Sequence, residues 1–173
     1  MIRAATEADI PAIARVHVAS WRETYRGIVP QAFLDGIRLD EWEARRRKNQ
    51  AQPGNHTLVA ETDGIVGFTI GGKNRDAAFP FDAELYAIYV LRAHQGRGLG
   101  RALQEALVAR LAADGHRSMI LWVLRDNPSR AFYERLGGTQ AGEKEIEIGG
   151  AKLVEVAYGW PAIRSLPDGP ADV

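Results

Sequence analysis

The stretch LYAIYVLRAHQGRGLGR, residues Leu85–Arg101, decides how the rest of the chain is read. Leu85 to Val90 is apolar and rich in aromatic and branched residues, as a central strand requires. Gln95-Gly96-Arg97-Gly98-Leu99-Gly100 breaks that pattern. Beyond it, Leu99, Ala102, Leu103, Ala106, Leu107 and Leu111 recur at helical spacing, so a helix is expected to lay one face on the sheet. Three glycines at alternate positions remove the Cβ atoms that would keep a ligand from the backbone. The first turn of a helix has unpaired N–H groups and a partial positive charge. Strand, glycine turn and helix start together make a pyrophosphate cradle, with Arg92, His94, Arg97 and Arg101 as further donors.

The loop excludes two better-known phosphate sites. A Walker-type loop needs Gly-Lys-Ser/Thr, which is absent, and a dinucleotide fingerprint needs G-x-G-x-x-G with an acidic residue about 20 positions on. Here the spacing is G-x-G-x-G, and the next strand brings Trp122-Val123-Leu124 with no carboxylate before Asp126. Gln95, Gly98 and Gly100 do match Q/R-x-x-G-x-G/A after a hydrophobic strand. That resembles the acyl-CoA-binding signature of the GNAT superfamily of N-acyltransferases. A second stretch, Asn127, Ala131, Phe132-Tyr133 and Leu136-Gly137, reads N-x-x-x-A-F-Y-x-x-L-G and looks like the superfamily's second cofactor-side motif. His17–Pro30, HVASWRETYRGIVP, resembles the start of many bacterial small-molecule members.

The resemblance implies a set of roles. Gln95, Gly96, Arg97, Gly98, Leu99, Gly100 and Arg101 would hold the pyrophosphate of acetyl-CoA. Backbone groups of Ile88 and Val90 would pair with the pantetheine amides and the thioester carbonyl, one N–H serving as oxyanion donor. Asn127 would bond to the ligand's amides. Tyr133 would protonate the leaving thiolate, since a phenol with a pKa near 10 stays protonated at neutral pH. Glu84, at the start of the strand, is the candidate base for the acceptor amine; a solvated glutamate is the plainer alternative. The first two helices and the Gly72–Phe81 loop would lie across the acceptor entrance, with Trp21, Tyr25 and Phe33 lining it or packing the core. Along the strand, Glu84, Tyr86, Ile88 and Val90 are expected to point one way and Leu85, Ala87 and Tyr89 the other.

Composition narrows the field. With 173 residues, 46% of them hydrophobic and 25% charged, the chain is an ordinary globular domain. Lys+Arg and Asp+Glu both number 22, so bulk charge offers nothing to nucleic acid. No cysteine is present, which leaves no thiolate nucleophile and favours direct transfer within a ternary complex. The four histidines are too scattered to suggest a metal site. No apolar run approaches the roughly 20 residues of a membrane span, and MIRAATEAD lacks a signal peptide's core, so a cytoplasmic protein is expected.

In chain order, Ile2–Ala5 reads as a strand. Thr6 with Asp9 reads as a capping box opening a helix to about Tyr25, and Pro30 opens a second. Asp40–Gln50 reads as a third helix whose charges form a solvated face or, alternatively, an outer rim for an anionic ligand. His56–Glu61 and Ile65–Gly71 form a hairpin, and Met119–Leu124 is a buried strand. A helix follows Asn127, and Lys144–Ile148 with Lys152–Tyr158 closes the chain. The expected architecture is α/β: one GNAT domain over 1–162, with a mostly antiparallel twisted sheet of about seven strands, flanked by helices and splayed at its centre. Residues 163–173 read as a tail. The last hairpin could pair two copies. A non-catalytic acyl-CoA-binding module, a protein N-terminal or lysine acetyltransferase, and an unrelated phosphate binder are the competing readings. The acceptor amine is not specified.

Overall fold

The computed structural model describes residues 1–163. Seven strands are present: β1 Ile2–Ala4, β2 His56–Glu61, β3 Ile65–Lys73, β4 Ala83–Val90, β5 Met119–Leu124, β6 Thr139–Ile148 and β7 Ala151–Trp160. They form one sheet in the order β1-β2-β3-β4-β5-β7-β6. Every neighbouring pair is antiparallel except β4 and β5. The helices are α1 Ile10–Thr24, α2 Gln31–Asp35, α3 Leu39–Gln50, α4 Leu99–Ala113 and α5 Arg130–Arg135. The mixed, mostly antiparallel seven-stranded sheet with flanking helices is the expected fold.

Both faces of the sheet are covered, which fixes where each helix must be apolar. Leu103, Leu107 and Leu111 of α4 are fully buried and pack on Leu58, Leu85 and Leu121. Ile13 and Val16 of α1 pack on Val59, Phe68 and Ile70 of the opposite face. At the β5–β7–β6 end of that face, Val18, Tyr25 and Leu34 meet Leu124, Ile146 and Leu153. The turn into α1 is held as expected. Asp9 accepts from the Thr6 N–H at 2.7 Å, closing a capping box, and Arg3 bridges the same carboxylate.

Three expectations need correction. The loop expected from Gly72 begins after Lys73, because Gly72 and Lys73 still pair with Glu84 and Ala83. The domain limit at 162 falls short: Ile163 is completely buried and its N–H donates to the Arg117 carbonyl. The rest of the expected tail, 164–173, lies outside the described residues. Simple alternation along β4 also fails. Ile70 pairs with Ala87 and Gly71 with Leu85, leaving Tyr86 as one extra residue. A bulge of this kind shifts which side chains face each layer. Leu85, Ile88 and Val90 therefore share the α4 side, while Tyr86, Ala87 and Tyr89 pack toward α1.

The bulge coincides with the place where the sheet opens. β4 and β5 pair only through Ala83↔Met119, Glu84↔Ile120 and Leu85↔Leu121. Past those pairs the two strands diverge, and each is held by its other neighbour alone. Gly71 buttresses the bulge from behind: a Cβ there would lie 2.8 Å from both the Glu84 carbonyl and a Leu107 methyl. Gly71→Ala is expected to cost about 1–3 kcal/mol, as overpacking does, because backbone cannot yield. Chemical denaturation would show it as a lower midpoint with an unchanged slope.

Candidate active site

The opening between β4 and β5 is a slit whose edge groups are defined by strand geometry. Leu91 donates its N–H to the Val66 carbonyl of β3. Successive residues of a strand turn their N–H and C=O to opposite edges. Tyr89 therefore shares the β3 edge with Leu91, and Ile88 and Val90 turn theirs into the slit. A cleft of about 320 Å³ runs through it, lined by Ile88, Val90, Trp122, Asn127 and Tyr133, and reaching the Gly96–Arg101 turn. That volume lies within the range of small-molecule sites.

At the far end, Gly98 is the N-cap of α4 with φ 75° and no side-chain cap bond, and Gly96 has φ 70°. Only glycine adopts such angles freely. No described residue accepts from the N–H groups of Gly96, Arg97 or Gly98, so these amides stand open together with the first turn of α4. Two loop residues behave otherwise than expected. The Gln95 side chain donates to the Val90 carbonyl at 2.9 Å, tying the loop to the strand end instead of reaching toward a phosphate. A Cβ on Gly100 would lie 3.2 Å from the Phe132 ring, so its smallness lets α4 approach α5. Arg97 is exposed and lies off the cleft. Arg101 lines it, with Nε 2.7 Å from Glu105.

Tyr133, brought to the slit by α5, is buried, and among the described residues nothing bonds its hydroxyl. Burial holds its pKa well above the ordinary phenol value, with the nearby Tyr25 hydroxyl adding to the effect. It is thus a protonated donor with no partner, facing a cleft. Asn127 is more committed than expected. Its Oδ1 accepts from Ser129 N–H at 2.8 Å and its Nδ2 donates to Tyr25 at 3.2 Å. Trp21 Nε1 donates to Tyr89 at 3.0 Å. Burial raises the pKa of Tyr25, and of Tyr89 more strongly, so both are neutral hydroxyls beside the slit.

Of the three candidate acceptor residues, Tyr25 lines the cleft, while Trp21 and Phe33 do not. Trp21 packs behind it, its ring centroid 4.6 Å from Tyr25, and Phe33 lies against Gly149 of the β6–β7 turn. Both are half-buried and pack against the core. Glu84 is neither solvated nor free. It is almost fully buried, stands off the cleft lining, and accepts from the backbone N–H, Nε and Nη2 of Arg75. The bond to Glu84 raises the Arg75 pKa, and the Arg75 guanidinium stacks 4.1 Å over the Tyr86 ring.

A second carboxylate escaped the sequence reading. Glu155 of β7 pairs in register with Leu124 and Lys144, on the face covered by α1 and α2. No described residue bonds or pairs with its carboxylate. Lys144 turns instead to the Trp122 ring, 3.8 Å from its centroid, and to Asp76 at 3.5 Å. Burial raises the Glu155 pKa, and Lys144 and Arg75 only partly oppose that. The available signal was a charge at the inward position between Leu153 and Ala157. α3 also departs from its expected solvated character, because Arg46 on it is buried. Among the described residues no cluster of three metal-ligating side chains occurs, and no helix is long and apolar enough to cross a membrane.

Comparison with known proteins gives one answer. The family model described as Acetyltransferase (GNAT) family matches residues 16–138. An uncharacterized N-acetyltransferase of Bacillus subtilis is 38% identical over 165 residues, covering 95% of each chain. A probable N-acetyltransferase of Mycobacterium tuberculosis is 34% identical, covering 97% of this chain and 96% of its own. A putative acetyltransferase from Salmonella typhimurium, solved with acetyl-CoA, superposes with a TM-score of 0.71 at 23% identity, covering 99% and 98% of the two chains. The PaiA N-acetyltransferase of Thermoplasma acidophilum, solved with coenzyme A, gives 0.67 at 21%, covering 90% and 96%. With the split sheet, the open helix mouth and these relatives in hand, the chain belongs to the GNAT family of N-acetyltransferases.

Proposed function

We propose that this enzyme moves an acetyl group from acetyl-CoA directly to the primary amine of a small acceptor, both bound at once. The observation that carries the reading is the Tyr133 hydroxyl, without a partner among the described residues, in the slit where β4 leaves β5. The structures from Salmonella typhimurium and Thermoplasma acidophilum, solved with acetyl-CoA and with coenzyme A, support the choice of donor.

The chain's groups divide the work. The open amides of Gly96, Arg97 and Gly98 and the first turn of α4 hold the diphosphate, with Arg101 beside them. Edge groups of Ile88 and Val90 satisfy the pantetheine amides as an added strand would. A slit-facing N–H polarises the thioester carbonyl and takes up negative charge as the amine attacks. When the tetrahedral adduct collapses, the C–S bond breaks and Tyr133 gives its proton to the sulfur. The amine must first be neutral. Glu84 and Glu155 both stand off the cleft lining, but Glu155, half-buried and without a partner among the described residues, is the freer proton acceptor, while Glu84 fixes the Arg75 guanidinium. The absence of cysteine favours this direct route over an acyl-enzyme.

Isothermal titration with coenzyme A should give saturable heat, and its absence overturns the reading. Gly98→Glu, which strains the backbone and sets a carboxylate against the diphosphate, should abolish that heat; Gly98→Asn, tolerant of positive φ, should keep most of it. Tyr133→Phe should lower kcat about 100-fold or more at little cost in coenzyme A affinity. A base must be deprotonated to work, so activity should rise with pH through the raised Glu155 pKa. Glu155→Gln should remove that acid limb, and Glu84→Gln should leave it. The reverse outcome assigns the base to Glu84.

A further inference from the structure

A second tyrosine in the cleft has a proton to give. Tyr25 ends α1, and its backbone is fixed on both sides. Its N–H donates to the Trp21 carbonyl at 3.0 Å, and its own carbonyl accepts from Ile28 at 3.0 Å and from Val29 at 2.9 Å. The chain makes that turn at Gly27, where φ is 79°. The side chain is buried, and its ring packs 4.6 Å from that of Trp21. Close packing of this kind holds the hydroxyl in place.

The bonds around that hydroxyl run in one direction. Asn127 Oδ1 already accepts from the Ser129 N–H at 2.8 Å, so the end of the amide that lies 3.2 Å from Tyr25 is its NH2 group. An NH2 group only donates, and the Tyr25 oxygen therefore accepts. Behind it, Trp21 Nε1, which also only donates, gives its proton to the Tyr89 hydroxyl at 3.0 Å. Burial raises the Tyr25 pKa; against it, the bonds from Tyr89 and Asn127 pull that pKa down, as bonds accepted by a phenol oxygen do. Two accepted bonds occupy the oxygen and leave its O–H to donate, and among the described residues nothing accepts from it. Accepting bonds strengthens the one that the same hydroxyl donates. Tyr25 and Asn127 both line the cleft that holds Tyr133.

Such a donor suits negative charge. It does not help the attacking amine, whose lone pair it would occupy. Tyr133, arriving on α5 from the other layer, serves the sulfur. The oxygen of the thioester is the remaining atom that becomes anionic, in the tetrahedral adduct.

We infer that Tyr25 is a side-chain oxyanion donor: its O–H bonds to the carbonyl oxygen of acetyl-CoA and holds the charge that gathers there as the amine attacks. Tyr25 keeps its proton throughout, and the bond joins that of the slit-facing N–H. The inference rests on the transferase reading above.

The test needs no acceptor amine. Acetyl-CoA isotopically labelled at the carbonyl carbon is bound to the wild type and to Tyr25→Phe, and its carbonyl band is read by difference infrared spectroscopy. The band should lie at lower wavenumber in the wild type, because a hydrogen bond weakens C=O. Calorimetry gives the second readout. Tyr25→Phe keeps the ring that packs on Trp21, so it should bind coenzyme A as the wild type does. Acetyl-CoA should bind it about 3–10-fold more weakly, as loss of one hydrogen bond implies. A band that the substitution leaves in place, or an equal loss for both ligands, as damaged packing would give, overturns the inference and leaves the transferase reading standing. A wild type that gives no heat with either ligand overturns both.

Discussion

The structure depends on a single incomplete pairing. β4 and β5 are bonded at three residue pairs and then diverge, so a sheet that is otherwise continuous carries an unclosed interval at its centre. Unpaired backbone polar groups away from bulk water are expensive, and a fold keeps them only where something else satisfies them. The interval persists because each strand is anchored on its outer side, β4 by β3 and β5 by β7, and because helices on both faces hold the halves apart. The Tyr86 bulge sits at the fork and redirects β4. A flat, fully paired sheet of the same composition would have no place for a thioester.

The same fork separates two kinds of surface. The groups that suit coenzyme A come from backbone: strand edges, a glycine turn and a helix start. On the proposed reading, the groups that suit an acceptor are side chains of α1, β5 and β7, beside aromatic rings and buried hydroxyls. Backbone amides cannot be changed by substitution, whereas side chains can. The donor half is therefore the one that relatives should share, and the acceptor half the one in which they should differ. Tyr25 belongs to both, since it lines the cleft and receives the Asn127 amide.

The donor half was legible in the sequence for that reason. Glycine spacing, a hydrophobic strand and helical periodicity are local signals, and each appeared where the pattern predicted. The motif around Tyr133 also marked a residue that lines the cleft. What escaped came from contacts distant in sequence. The bulge at Tyr86 depends on how β3 meets β4, and no residue of β4 announces it. The pairing of Glu84 with Arg75 joins a strand to a loop nine residues away. Gln95 reads as part of a phosphate loop yet serves the Val90 carbonyl. Arg46 looked like one more surface charge in a basic run, yet it is buried on a helix that packs against α1. Charges at inward positions, Glu155 above all, were a usable signal that alternation along β7 already contained.

The glycines of β3 have a consequence for how this enzyme can change. A Cβ on Gly67 would meet the Tyr89 carbonyl at 2.9 Å, and one on Gly72 would run into the Asn55 side chain and meet the Tyr86 hydroxyl at 2.8 Å. These positions touch neither substrate, yet they set the depth at which β4 lies. Lineages exploring new acceptors are free to redraw the helices that overlook the cleft, but the rear of the sheet has almost no latitude. Divergence in this chain should therefore be lopsided, rapid on the outer layer of α1 to α3 and nearly frozen along one short glycine-bearing strand.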